Sequence, residues 1–141
     1  MAILWREQLS VGNNVIDADH RHLIDIINQV EQSLAARNRS ALAKDLESLT
    51  QYSLIHFERE EKIASAAGYT QLPALNHSHV LLLQRLEQMR AEFDAGGVEW
   101  SADAAKHFTD FLRNWLIDHV IKEDLLMKPA LQKFSPTFDP R

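Results

Sequence analysis

The feature that most constrains the fold of this chain is the spacing of its apolar residues, which recur every three or four positions in four long segments. This spacing matches the 3.6 residues per turn of an α-helix and places the apolar side chains of each segment on one face. The four glycines and four prolines are few for 141 residues and fall mostly between these segments. The sequence therefore predicts an all-α fold: an up-down-up-down antiparallel four-helix bundle with an irregular N-terminal arm.

Polar residues at the edges of the first two segments predict where their helices begin and end. Either Asp17 or Asp19 can cap the first helix, which is expected to run to Arg37, with Asn38 as its stop. Ser40 can cap the second helix.

Glycine, proline and serine set the remaining boundaries. Gly68 is expected to end the second helix, and Pro73 suits the first turn of the third. The third helix is expected to end at Gly96–Gly97, and a fourth to run from Ser101 to near Pro129.

The length of the chain predicts a single domain spanning residues 1–141, with the arm at 1–16, the bundle at about 17–130 and a short C-terminal tail. Three apolar residues of the arm are expected to anchor it to the core: Trp5, Leu9 and Val11.

Charge and composition exclude several classes of function. A net charge of −5 disfavours nucleic-acid binding, which needs a basic surface. The absence of cysteine excludes disulfides, iron–sulfur clusters and thiolate zinc sites. We find neither a signal peptide nor an apolar run long enough to span a membrane, so we expect a cytoplasmic protein with no membrane partner. The sequence does not identify a protein partner.

Each predicted helix places one histidine on its apolar face: His20, His56, His79 and His119. Glu60 follows His56 by four residues, and Asp124 follows His119 by five. A single core-facing histidine is usually a packing residue, but four of them with two carboxylates are hard to explain by packing, because a buried carboxylate is costly unless it is paired or bound to metal. The alternating helix directions bring these positions to the same end of the bundle. The sequence therefore predicts a metal site.

The types of ligand narrow the choice of metal. Imidazoles and carboxylates without thiolates suit iron, zinc, copper or manganese. Two carboxylates suggest bridging between two metal ions roughly 3.5–4 Å apart.

These motifs resemble those of the hemerythrins, in particular the bacterial single-domain bacteriohemerythrins, over about residues 5–127. The matching stretches are Trp5 with the following Val11–Gly12, then "IDADHRHLI", "YSLIHFEREE", "GY" at 68–69, and "WLIDHVIKED". The resemblance implies a four-helix bundle around a non-haem di-iron centre that binds O₂ reversibly. It implies that His20 and His56 hold one iron ion, that His79 and His119 hold the other, and that Glu60 and Asp124 bridge them.

The chain departs from the family pattern at two positions. The third-helix motif of the family is H-x-x-x-H, and its first histidine is Leu75 here. Ala64 stands where a methionine is common, which we expect to enlarge the pocket. Helical phase favours His79 as the ligand and leaves His77 on the surface, because moving His77 into phase would take the following leucines off the core face.

Several further side chains lie off the apolar faces, and we expect them to be solvated: His22, His107, Glu58 and Glu61. Trp115 is expected to pack in the core.

Three functions stay open: binding of O₂ or another small diatomic ligand without catalysis; an enzyme or sensor acting on peroxide or nitric oxide at an iron left open by Leu75; and a bundle that has lost its metal.

Overall fold

A computed structural model describes residues 2–95 and 100–140, and no strand lies within these two ranges. Four main helices are present: α1 (Asn14–Ala35), α2 (Arg39–Ala66), α3 (Leu72–Ala95) and α4 (Ala102–Arg113). Helix α1 packs against α2, α2 packs against α3, and α4 packs against both α1 and α3. This arrangement confirms the predicted all-α four-helix bundle.

The first helix begins one turn earlier than the sequence predicts. Asn13 caps it, because its side chain accepts hydrogen bonds from the backbone N–H groups of Val15 and Ile16. The prediction that Asp17 or Asp19 is the cap is wrong. Asp17 instead accepts hydrogen bonds from Ser10 Oγ at 2.5 Å and from the N–H of Val11 at 2.9 Å, which fastens the arm to α1.

The connection between α1 and α2 also differs from the prediction. Helix α1 ends at Ala35 rather than Arg37, and Arg37 adopts the left-handed conformation with φ of 54°. Asn38, rather than Ser40, caps α2 by accepting from the N–H of Ala41.

The other predicted boundaries agree better with the structure. Gly68 follows the end of α2 with φ of 75°, a conformation that favours glycine. Pro73 is the second residue of α3, and Ser101 caps α4 by accepting from the N–H of Ala104. The predicted stop of the third helix at Gly96–Gly97 lies outside the described residues.

The fourth predicted helix is not α-helical throughout. After Arg113 the hydrogen bonding becomes π-helical over Asn114–Ile121. A single α-turn, α5 (Lys122–Asp124), a 3₁₀ turn (Leu125–Met127) and the short helix α6 (Lys128–Leu131) follow. A π turn contains one more residue than an α turn, so side chains after Arg113 no longer follow the 3.6-residue phase.

The apolar core consists of two clusters, one on each side of a polar layer. The larger fills most of the bundle and includes Leu23, Leu49, Leu82 and Ile121. The smaller lies at one end of the bundle and comprises Val11, Ile16, Ile63, Ala64, Ala67, Leu75, Met127 and Leu131. As predicted, Val11 is fully buried, and Trp5 and Leu9 pack against the larger cluster.

None of the helices in the described residues combines the length and apolarity that a membrane crossing requires.

Candidate metal centre

The polar layer between the two clusters contains four of the six predicted ligands. His20, His56, Glu60 and Asp124 are each no more than 1% exposed, and each offers one ligand atom within 4.8 Å of the others. On each helix the predicted ligand lies between a residue of one cluster and a residue of the other, as His20 lies between Ile16 and Leu23. The apolar packing on both sides therefore fixes the level of the site.

Distances within the group are short. His20 Nε2 lies 2.7 Å from Asp124 Oδ2, and His56 Nε2 lies 2.9 Å from Glu60 Oε2 and 3.6 Å from Asp124 Oδ2. The rings of His20 and His56 are 5.0 Å apart, centroid to centroid. Three helical elements thus converge on one small volume.

Two of the converging atoms lack a hydrogen bond. His56 Nε2 and Glu60 Oε2 are buried without a hydrogen-bonding partner in the structure, although they are only 2.9 Å apart. Buried polar atoms are nearly always satisfied. A metal ion between an imidazole nitrogen and a carboxylate oxygen would satisfy both, so the donor set fits a metal.

Burial and mutual proximity shift the pKa values of these side chains. Burial alone lowers the pKa of His56, but the charge of Glu60 and the nearby carboxylates of Asp124 and Asp19 outweigh this and raise it well above its usual value. Burial and repulsion from Asp124 raise the pKa of Glu60. Burial opposes ionisation of Asp124, yet the nearby Glu60 carboxyl and the contact with His20 lower its pKa. A metal ion would replace these protons.

His79 lies at the edge of this group, as helical phase predicts. Its Nε2 is 3.0 Å from Glu60 Oε1, and its ring stacks on Phe57 with centroids 4.0 Å apart. Burial lowers its pKa to about 4, so its imidazole is neutral at pH 7 and able to bind metal. His77 is exposed, which confirms that it is a surface residue.

His119 is placed differently from the prediction. The sequence predicts a core-facing side chain, but His119 lies on the π-helical segment, is half-buried and stays outside the four-residue group. The reason is the changed phase after Arg113. Asp124, only 1% exposed, nevertheless reaches the group.

Trp115 is buried and donates to the carbonyl of Leu82 at 2.9 Å, which confirms its packing role.

Leu75 occupies the position one turn before His79. It is only 5% exposed and belongs to the smaller apolar cluster with Ile63, Ala64 and Met127. An alkyl side chain donates nothing to a metal, so this position is filled without providing a ligand.

Asp19 has a role that the sequence analysis missed. Its Oδ2 lies 3.0 Å from His56 Nδ1, while its Oδ1 accepts from the Tyr52 hydroxyl at 2.7 Å and pairs with Arg59 at 3.2 Å. A carboxylate on the far nitrogen of a ligating histidine fixes its tautomer and orientation. One face of α2 carries three polar side chains at i, i+4 and i+7: Tyr52, His56 and Arg59. This polar face is the sequence signal that could have predicted the contact with Asp19.

Glu61 is the second missed residue. The prediction that it is simply solvated is incomplete, because its side chain is 33% exposed and its Oε2 lies 3.8 Å from His79 Nδ1. The remaining side chains predicted to be solvated are exposed: His22, His107 and Glu58.

Comparisons with known proteins agree with this geometry. Residues 11–131 match the family model described as the hemerythrin HHE cation binding domain. The chain is 32% identical to a bacteriohemerythrin of Methylococcus capsulatus over 133 residues, covering 93% of this chain and 98% of that protein. It is 30% identical to a bacteriohemerythrin of Pseudomonas aeruginosa over 122 residues, covering 86% and 76% of the two chains. A crystal structure of wild-type hemerythrin superimposes with a TM-score of 0.78 at 29% identity, covering 93% and 98%.

We predict that His79→Ala lowers metal content sharply, while His77→Ala leaves it nearly unchanged. The reason is that His79 is buried against Glu60, whereas His77 is exposed. Metal analysis of the purified folded variants checks this. The opposite ranking would show that His77 has replaced His79 at the centre.

We also predict that metal stabilises the protein more at pH 8 than at pH 6. Because the folded pKa of His56 is raised, protonated His56 stabilises the metal-free fold below the unfolded pKa, and this contribution is lost as pH rises through the folded pKa. Metal must displace that proton, so binding gains about 1.4 kcal/mol per pH unit for each proton released.

Melting temperatures of iron-loaded and chelator-treated protein at the two pH values measure this effect. The exposed His107→Asn variant serves as the control and should behave like the parent. An equal difference between loaded and metal-free protein at both pH values would contradict the prediction.

Proposed function

The chain belongs to the hemerythrin family, and we propose that it is a protein that binds O₂ reversibly at a non-haem di-iron centre rather than an enzyme. The family binds such a centre. The observation that carries the proposal is the buried His20–His56–Glu60–Asp124 group, with two polar atoms left unpaired toward each other.

We assign the six predicted ligands to this centre: His20, His56, His79, His119, Glu60 and Asp124. Glu60 supports the assignment as a bridge, because its Oε2 lies 2.9 Å from His56 and its Oε1 lies 3.0 Å from His79. One carboxylate therefore faces an imidazole from each half of the site. His119 is half-buried on the adjoining π segment.

A di-iron centre of this kind supplies a position for a small ligand and the electrons that bind it. The protein residues orient and enclose that position. Asp19 orients His56, and the apolar clusters on both sides keep bulk water from the ligand layer. Exclusion of water favours holding a neutral diatomic ligand over hydrolytic chemistry.

To test the proposal, the protein is loaded with iron, reduced anaerobically and then exposed to O₂. We expect about two iron ions per chain and an absorption change that reverses when O₂ is removed. Reduced, iron-loaded protein that shows no reversible spectral change with O₂ would reject it.

Leu75 favours a second candidate function, turnover of peroxide or capture of nitric oxide. Because Leu75 provides no ligand, the metal position beside His79 and His119 has one imidazole fewer than the family motif gives. An open position admits exogenous ligands. Steady-state consumption of peroxide with a reductant distinguishes this enzyme from a binding protein, which does not turn over.

We predict that Leu75→His raises iron occupancy and lengthens the lifetime of the O₂ complex. The new imidazole would lie one turn from His79, on the same face of α3. Leu75→Gln is the matched control, since it adds polarity at similar size without an imidazole. Iron analysis and the decay of the oxygenated spectrum measure the effect. If the two variants behave alike, the site is already complete without a ligand from position 75.

A further inference from the structure

The four converging ligands are buried, so an exogenous ligand needs a route through the protein. A recess of about 380 Å³ opens on the surface between the start of α3 and the segment that contains Asp124. Its lining includes Tyr69, Gln71, Ala74, Leu75, Ser78 and Glu123.

We propose that this recess is the entrance by which small ligands reach the metal position beside His79, and that Glu123 at its rim disfavours anions. The proposal rests on the di-iron assignment above. It adds to that site an entry route for small ligands and a selectivity against anions.

The recess adjoins the ligand layer through residues next to the ligands in the chain. Ser78 directly precedes His79, and Glu123 directly precedes Asp124. The Ser78 hydroxyl donates a hydrogen bond to the Glu123 carboxylate, which joins α3 to α5 at the rim.

Tyr69 joins the recess to the interior of the bundle, because it lines the recess and packs against the smaller apolar cluster. Burial raises the pKa of its hydroxyl, and the charges of Asp124, Glu60 and Glu123 raise it further.

Leu75 separates the recess from the ligand layer. It lines the recess, is 5% exposed and packs with Ile63 and Ala64 in the interior. A histidine there would fill a coordination position, whereas an alkyl group leaves the inner end of the recess apolar. Small neutral molecules pass such a barrier more readily than ions do, because ions lose their hydration.

The rim adds a charge filter. The Glu123 carboxylate is partly buried and held by Ser78, so its charge is fixed beside the path. A unit charge about 6 Å from the path in a water-like medium changes the entry rate of an anion by about threefold, and salt reduces the effect.

Stopped-flow binding of two probes tests the route: azide to the ferric protein and nitric oxide to the ferrous protein. Ala74→Trp places an indole in the recess from an exposed helical position. We expect it to slow association and dissociation of both probes while leaving their equilibrium affinities unchanged.

Asn76→Trp is the matched control, because it adds the same side chain to an exposed position of α3 that faces a different surface depression, beside Glu61. It should leave both rates unchanged. Unaltered rates in Ala74→Trp, or slowing by Asn76→Trp alone, would overturn the proposal. Should Ala74→Trp fail to fold, Gln71→Trp fills the recess from the preceding loop.

Glu123→Gln tests the filter, with the exposed Glu87→Gln as its charge-matched control. We expect Glu123→Gln to speed azide entry about threefold at low ionic strength and to leave nitric oxide entry unchanged. Equal azide rates in both variants would reject the filter.

Azide binding separates this inference from the proposed function. Azide requires a ferric centre but not reversible O₂ binding, so the route can be tested in protein that fails the O₂ experiment. Complete absence of an azide complex in the parent protein would overturn both the di-iron assignment and the route.

Discussion

The structure depends on placing ionisable side chains at one level of an otherwise apolar bundle. His20, His56, Glu60 and Asp124 are almost completely buried within 4.8 Å of one another. Without a counter-charge such a group is costly, because each buried ion loses its hydration. The neighbouring carboxylates raise the pKa values of His56 and Glu60, so that protonation offsets part of that cost. A bound metal ion would also offset the charge of the buried carboxylates, without the need for protons.

The apolar residues on both sides of this layer hold the bundle together and also fix the positions of the side chains in the layer. The larger cluster holds the helices together along most of their length, and the smaller one closes the end of the bundle near the arm and tail. Because packed side chains tolerate little movement, the ligand layer between them is held at fixed separations. Asp19 extends this control outward, since it orients His56 and is itself held by Tyr52 and Arg59.

The two halves of the site are unequal. The half around His20 and His56 contains the four converging candidate ligands. The other half has His79 at its edge, His119 half-buried and Leu75 where the family motif has histidine. The surface recess is lined by Leu75 and by Ser78, which directly precedes His79. The proposed entrance and the position that lacks an imidazole therefore concern the same side of the site.

The sequence alone determined the helical class, the core faces and the burial of five of the six predicted ligands, because a 3.6-residue phase fixes which side chains share a face. It also placed Leu75 inside and His77 outside. Only the tertiary structure decided the cap at Asn13, since the competing Asp17 and Asp19 were engaged by the arm and by His56. It alone decided the π segment as well, because a change in backbone hydrogen bonding leaves no periodic mark in the sequence. His119 lies on that π segment, half-buried and outside the four-residue group, whereas Asp124 belongs to the group.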